Sequence, residues 1–154
     1  MITNLTNAGE EVHQKAVWAT DEITLPATVD FLLYNDATDL LDDTADDPST
    51  DVTTEPSDGN YTRKTLTIDG SAGGDGLISV SQSGGAWRAE VPTLTWDVDG
   101  TTGTVDAYAV VMLVALDGDG APANHIITGG ALSDSRVLDP LPAIDTNGGV
   151  LTID

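Results

Sequence analysis

Cysteine is absent from the 154 residues, so no disulfide, thiolate metal ligand or cysteine nucleophile is available. Basic residues are scarce: Lys and Arg number 5 against 26 Asp and Glu, a net charge of -21. With no basic stripe to neutralise phosphates, nucleic acid is not expected as a direct partner. Aromatic residues make up only 5%, although apolar residues reach 40%. No apolar run approaches the roughly 20 residues that span a bilayer. The strongest, residues 107–116, has ten, so membrane insertion is not expected. Met1-Ile2-Thr3-Asn4 shows no basic segment leading into an apolar one, and export by a cleaved signal is not expected either. The length suits one domain, residues 1–154, with its own core.

The acid excess is mostly aspartate, 21 Asp to 5 Glu, and the only lysines are Lys15 and Lys64. Disorder is one reading of such a chain, but recurrent apolar runs such as 107–116 argue against it. Without salt the uncompensated charges would repel strongly. At molar salt the screening length falls to about 3 Å, and that repulsion largely disappears. Short carboxylates also stay hydrated where salt competes for water. The composition therefore reads as adaptation to a hypersaline medium, that of haloarchaea and their viruses. The rival reading is a calcium-loaded extracellular module.

Residues 5–19 form the one good helical candidate. Leu5, Ala8, Val12, Ala16 and Ala19 recur at steps of three and four. Asn7 with Glu10 three residues on suggests a capping box. Gly9 weakens the helix, and Trp18 is expected to dock it onto the fold. Beyond residue 25 the signals are strands and turns. Strands are predicted over 29–35, 61–69, 77–83, 91–98, 105–116, 126–132, 137–144 and 150–153. Leu94 and Trp96 share a face, and 105–116 is apolar on both faces, which a central sandwich position or a subunit contact explains. Glycine-rich turns are expected at 71–76, 84–85, 99–103, 117–120, 129–130 and 147–149. Residues 36–58 carry nine acids and no base, with Pro48 and Pro56. Such a long polar connection is usually functional or mobile and argues against regular structure. The sum is an all-β fold: an antiparallel jelly-roll-like β-sandwich with one short N-terminal helix.

Few constellations suggest chemistry. His13 and His125 lie on different predicted elements with no ligand spacing around them. Ser133-Asp134-Ser135 lacks the G-x-S-x-G pattern of a nucleophile elbow. Paired carboxylates for glycan hydrolysis could be drawn from 26 acids, and that abundance robs the signal of meaning. Asp97-x-Asp99-Gly100 and Asp117-x-Asp119-Gly120 resemble fragments of calcium loops. They make Asp97, Asp99, Asp117 and Asp119 the candidate ligands for Ca2+ or Mg2+, but neither follows the EF-hand order. Turn chemistry is the plainer reading. Asn4-Leu5-Thr6 and Asn60-Tyr61-Thr62 fit the glycosylation acceptor pattern. No catalytic or cofactor-binding residue is assigned.

A series of short motifs runs through the chain: Leu5-Thr6-Asn7-Ala8-Gly9-Glu10, Phe31-Leu32-Leu33-Tyr34-Asn35-Asp36, and Glu55-Pro56-Ser57-x-Gly59-x-Tyr61-x-Arg63. Trp96, Gly103-Thr104-Val105, Gly129-Gly130-Ala131-Leu132 and the closing Gly149-Val150-Leu151-Thr152-Ile153-Asp154 follow. In this order they resemble small phage structural proteins, the tail-fibre and head-decoration proteins built on a jelly-roll-like sandwich. With the acidic 36–54 segment, the resemblance points to a haloarchaeal tailed virus. It implies a non-enzymatic virion component, assembled in the host cytoplasm, that forms homo-oligomers and contacts other virion proteins such as the major capsid protein. A decoration or vertex turret protein is the first expectation. A tail-fibre module that binds the host cell surface through loop 36–58 is the second, and a glycan hydrolase is the third. Tyr61 and Arg63 match a Tyr-x-Arg pattern whose arginine is expected to pair with a carboxylate. Trp96 is expected to fill core.

Overall fold

The computed structural model describes residues 5–68, 77–83, 86–138 and 150–153, with side-chain packing for 5–68 and 91–138. The fold is mostly β, as expected. Helix α1 (Asn7–Trp18) precedes β1 (Thr28–Tyr34), and the single-turn α2 (Pro48–Asp51) sits in the acidic connection. Then come β2 (Lys64–Ile68), β3 (Leu77–Ser83), β4 (Ala86–Glu90), β5 (Leu94–Asp97), β6 (Gly103–Val114), β7 (Ala123–Leu138) and β8 (Val150–Ile153). Six strands form one sheet in the order β4-β3-β2-β1-β6-β7, and β5 pairs with β8 in a second. Among the described residues every pairing between named strands is antiparallel except β2 with β3, which is parallel and departs from the all-antiparallel expectation.

Strand β1 is central and buried on both faces. Its alternation sends Val29, Phe31 and Leu33 to one side and Leu32 and Tyr34 to the other. On the first side Leu94 and Trp96 of β5 pack against β1, Leu66 of β2 and Val105 of β6, so the two-stranded sheet covers part of the larger one. Trp96 is fully buried, as expected, and its indole N–H has no partner among the described residues. The other side holds Ala107, Ala109, Val111 and Ile126, covered by Leu41 and Val52 from the acidic connection. A register irregularity between Val105 and Ala107 accompanies the change of side along β6, as the period-two alternation requires. The apolar reading of both faces of this strand is therefore met, and β6 lies between β1 and β7.

Several sequence expectations are corrected. Thr6, not Asn7, caps α1: its side-chain oxygen accepts from the Gly9 N–H at 3.0 Å. The same hydroxyl donates to the Ile126 carbonyl, and the Thr6 N–H donates to the Ile127 carbonyl at 3.0 Å. These tertiary bonds fix the helix start one residue earlier than a local capping box would. Trp18 does not dock the helix and is 80% exposed. It lies about 120° around the helix from Val12, off the buried stripe. The 36–58 connection is anchored by buried Leu41, Pro48 and Val52. Pro48 opens α2 rather than blocking it, because a first-turn proline gives up no helical hydrogen bond. The strands expected at 126–132 and 137–144 are joined in the 16-residue β7 up to Leu138. Gly129 and Gly130 sit inside it, where the Tyr108 ring would lie 3.0–3.1 Å from a Gly130 Cβ. Strand β4 had no forecast. The turns expected at 71–76, 84–85 and 147–149, and residues 139–144, lie outside the described residues.

Candidate functional site

Where the acidic connection meets α1 and the β6–β7 turn, an open groove of about 590 Å³ forms, lined by Asn7, Glu11, Asp46, Asp117, Asp119 and His125 among others. Its charges are tied to the fold. Lys15 reaches up from α1 to Glu11 Oε1 at 2.8 Å and Asp117 Oδ1 at 2.6 Å. Hydrogen bonding to Asp117, then to Glu11, holds the Lys15 ammonium well above its usual range. Glu11 also accepts from the Asp117 N–H at 2.7 Å. Asp119 Oδ2 accepts from the Leu116 N–H at 2.8 Å and meets His125 Nε2 at 2.9 Å. The Leu116 amide, then His125, keeps the Asp119 carboxyl below the ordinary range.

The four candidate cation ligands thus fall at two separate turns. Asp97 Oδ1 accepts from the Asp99 N–H at 3.0 Å and Oδ2 from Asn60 Nδ2 at 2.9 Å. Asp119 closes the turn after β6 by accepting from the Leu116 N–H, while Asp117 in the same turn pairs with Lys15 of α1. Asp97 and Asp119 are therefore turn-forming carboxylates, and no group of three or more His, Asp or Glu among the described residues could hold a metal ion. His13 is exposed on α1, while His125 faces the groove. Asn60 spends its amide on Asp97, and Asn4 lies outside the described residues. The same pattern of engagement runs through the acidic connection. Asp39 accepts from Thr53 Oγ1 and from the Thr54 N–H and hydroxyl. Asp42 accepts from Thr44, Asp47 from Ser49 and Asp58 from Thr102. Burial pushes the Asp39 carboxyl up, but the Thr54 and Thr53 donors outweigh it and leave its pKa lowered. The hydroxyls of Thr44, Ser49 and Thr102 lower Asp42, Asp47 and Asp58 in turn. The abundant threonine acts here as the partner of the abundant aspartate.

The Tyr-x-Arg pattern resolves into a structural clamp. Arg63 binds Glu55 bidentately, Nε to Oε1 at 2.8 Å and Nη2 to Oε2 at 2.7 Å. The Tyr61 hydroxyl donates to Glu55 Oε1 at 3.1 Å and accepts from the Leu33 N–H at 2.9 Å. The β1–β2 register ends at Phe31↔Lys64, so the phenol replaces the missing ladder partner of Leu33. Sequence reasoning foresaw a carboxylate for Arg63. That carboxylate is Glu55, eight residues earlier in the same Glu-Pro-Ser-x-Gly-x-Tyr-x-Arg stretch.

The remaining surface feature is apolar. Trp18, Val17, Leu40, Leu113 and Val137 are exposed on a chain of net charge -21. Leu40, Leu113 and Val137 each adjoin a buried residue, Leu41, Val114 and Leu138, so their signal in the sequence is weak. No helix among the described residues is long and apolar enough to cross a membrane. Comparisons with protein-family models, curated proteins and solved structures find no match to this chain.

Proposed function

We propose that the chain is a non-enzymatic structural component of a haloarchaeal tailed-virus particle, a head-associated decoration or turret subunit that assembles with copies of itself on the major capsid protein. The observation that carries this reading is the set of large apolar side chains left in solvent, Trp18 at 80%, Val137 at 78% and Leu40 at 74% exposed, on so acidic a surface. Such groups are what subunit contacts bury. Salt strengthens apolar association and screens repulsion between like-charged copies. Carboxylates committed to turn amides and threonine hydroxyls fit a scaffold rather than a reacting centre. Part of the proposal is that the six- and two-stranded sheets belong to a jelly-roll-like sandwich, supported by the packing of Leu94 and Trp96 against β1 and β2.

The test is size-exclusion chromatography with light scattering from molar to low KCl, with circular dichroism to separate dissociation from unfolding. Assembly at molar KCl that dissociates as salt is removed is the expected result. A chain that stays monomeric in concentrated KCl and is missing from mature particles overturns the reading. The second reading, host-surface adhesion, draws on Leu40, which projects from the acidic connection beside the buried anchor Leu41. Deleting loop 36–58 would strip Leu41 and Val52 from the core, so Leu40→Asp is the proper probe. Envelope binding by the monomer that this substitution abolishes would favour adhesion.

A further inference from the structure

Among the described residues four aspartates are followed by glycine: Asp58, Asp99, Asp117 and Asp119. An Asp-Gly pair can close on itself, because glycine puts no side chain in the path of its own amide nitrogen toward the neighbouring carboxyl. The fold restrains three of these carboxyls. Both oxygens of Asp58 accept from Thr102, from its N–H at 2.9 Å and from its hydroxyl at 2.6 Å. Asp117 Oδ1 is held by Lys15 Nζ at 2.6 Å. Asp119 Oδ2 is held by the Leu116 N–H at 2.8 Å and by His125 Nε2 at 2.9 Å. The Asp99 side chain is exposed, and its carboxyl has no such partner among the described residues.

We propose that Asp99–Gly100 is a site of spontaneous covalent modification, at which aspartate isomerises to isoaspartate faster than at the other three pairs. The Gly100 nitrogen attacks Asp99 Cγ. A C–N bond forms, the Cγ–OH bond breaks, and the amide proton leaves with the hydroxyl as one water, giving a five-membered succinimide. Water then opens the ring. Opening at Cγ restores aspartate, and opening at the main-chain carbonyl leaves the chain running through Cγ. No oxidant, metal or second protein is needed, and the net mass is unchanged.

The surrounding main chain favours the first step. The Gly100 N–H donates to no group among the described residues, so no hydrogen bond has to break before it reacts. As that nitrogen gives up its proton, negative charge spreads onto the Asp99 carbonyl oxygen. The Asn60 N–H donates to this oxygen at 2.9 Å and stabilises the developing charge, as an oxyanion donor does. The product has a structural consequence. Isoaspartate adds a backbone atom to a turn closed by the Thr101 N–H on the Val98 carbonyl at 3.0 Å. A Cβ on Gly59 would stand only 2.3 Å from the Gly100 carbonyl carbon, so the two loops touch backbone to backbone and the added atom has no room there. The modification would loosen the joint between residues 58–60 and 97–102, next to the Tyr61 clamp.

The test is to warm the full chain for weeks at neutral pH in molar KCl made with water enriched in oxygen-18, with circular dichroism confirming that it stays folded. Peptide mapping by mass spectrometry then reads isoaspartate and label at each site. Asp99 should accumulate isoaspartate about tenfold faster than Asp58, Asp117 or Asp119, since each of these must first give up a hydrogen bond to a charged group. The same incubation in urea should bring the four rates together, because the restraints are then gone. Lys15→Met, which keeps the apolar stem of the side chain, should raise the rate at Asp117 several-fold and leave Asp99 unchanged. Isoaspartate spread evenly over the four sites of the folded chain, its absence from Asp99, or the same ranking in urea overturns the proposal.

Discussion

Replacing Gly9 by alanine should destabilise the protein, against the direction that helix propensity alone dictates. In a solvated helix interior the change stabilises by up to about 1 kcal/mol. Here a Cβ on Gly9 would stand 2.2 Å from the Ile127 carbonyl oxygen and 3.1 Å from Ile127 Cγ2. The oxygen belongs to β7 backbone and cannot swing aside, so α1 must retreat by about 1 Å to restore van der Waals separation. Retreat stretches the Thr6 N–H bond to Ile127 and the Thr6 hydroxyl bond to Ile126, both buried. Each buried group left unpaired costs about 1–3 kcal/mol. It also loosens Ala8 and Val12 against Val114, Leu116 and Ile127. Subtracting the propensity gain leaves a loss of about 3 kcal/mol, or about 6–12 °C in Tm for a chain of this size. Calorimetry in molar KCl measures it, with His13→Ala on the exposed face as a control expected within about 0.5 kcal/mol. A Gly9→Ala protein that melts at or above the parent would show that α1 is not seated on β7 by this close approach.

Two further outcomes follow from the clamp and the carboxylates. Tyr61→Phe removes the acceptor for the buried Leu33 N–H and should cost about 1–3 kcal/mol in urea unfolding; a neutral result would show that water replaces the phenol. Asp39, Asp42, Asp47 and Asp58 have lowered pKa values in the folded state. Their stabilisation is complete above the unfolded carboxylate pKa of about 3.9 and is lost as pH falls through the folded values. Urea unfolding in molar KCl should therefore show a plateau from about pH 7 to 5 and a decline below about pH 4. Stability that rises from about pH 5 to 3 in that salt would contradict the bonding pattern, since charge relief is already screened there.

Periodicity and composition carried the local features of this chain. The steps of three and four placed α1, alternation placed Leu94 with Trp96, and a two-sided apolar run made β6 an inner strand. Each depends on contacts within one element or on one face, which residue order records directly. Glu55 and Arg63 were also close enough in the chain for their pairing to be foreseen in kind. Long-range geometry was another matter. The helix cap moved to Thr6 because carbonyls of residues 126 and 127 approach it, more than a hundred positions away in the chain. Gly9 reads as a defect in isolation and is a point of close contact in the fold. Gly129-Gly130 reads as a turn, yet the Tyr108 ring packs there and the strand runs on. The acidic connection reads as loose, but Leu41 and Val52 fill a space that only the assembled sheet creates. Amino-acid order thus carried the all-β class and the periodic elements, while strand order, the parallel β2–β3 pair and the register irregularity between β6 and β7 arose from packing between distant segments, which no local pattern encodes.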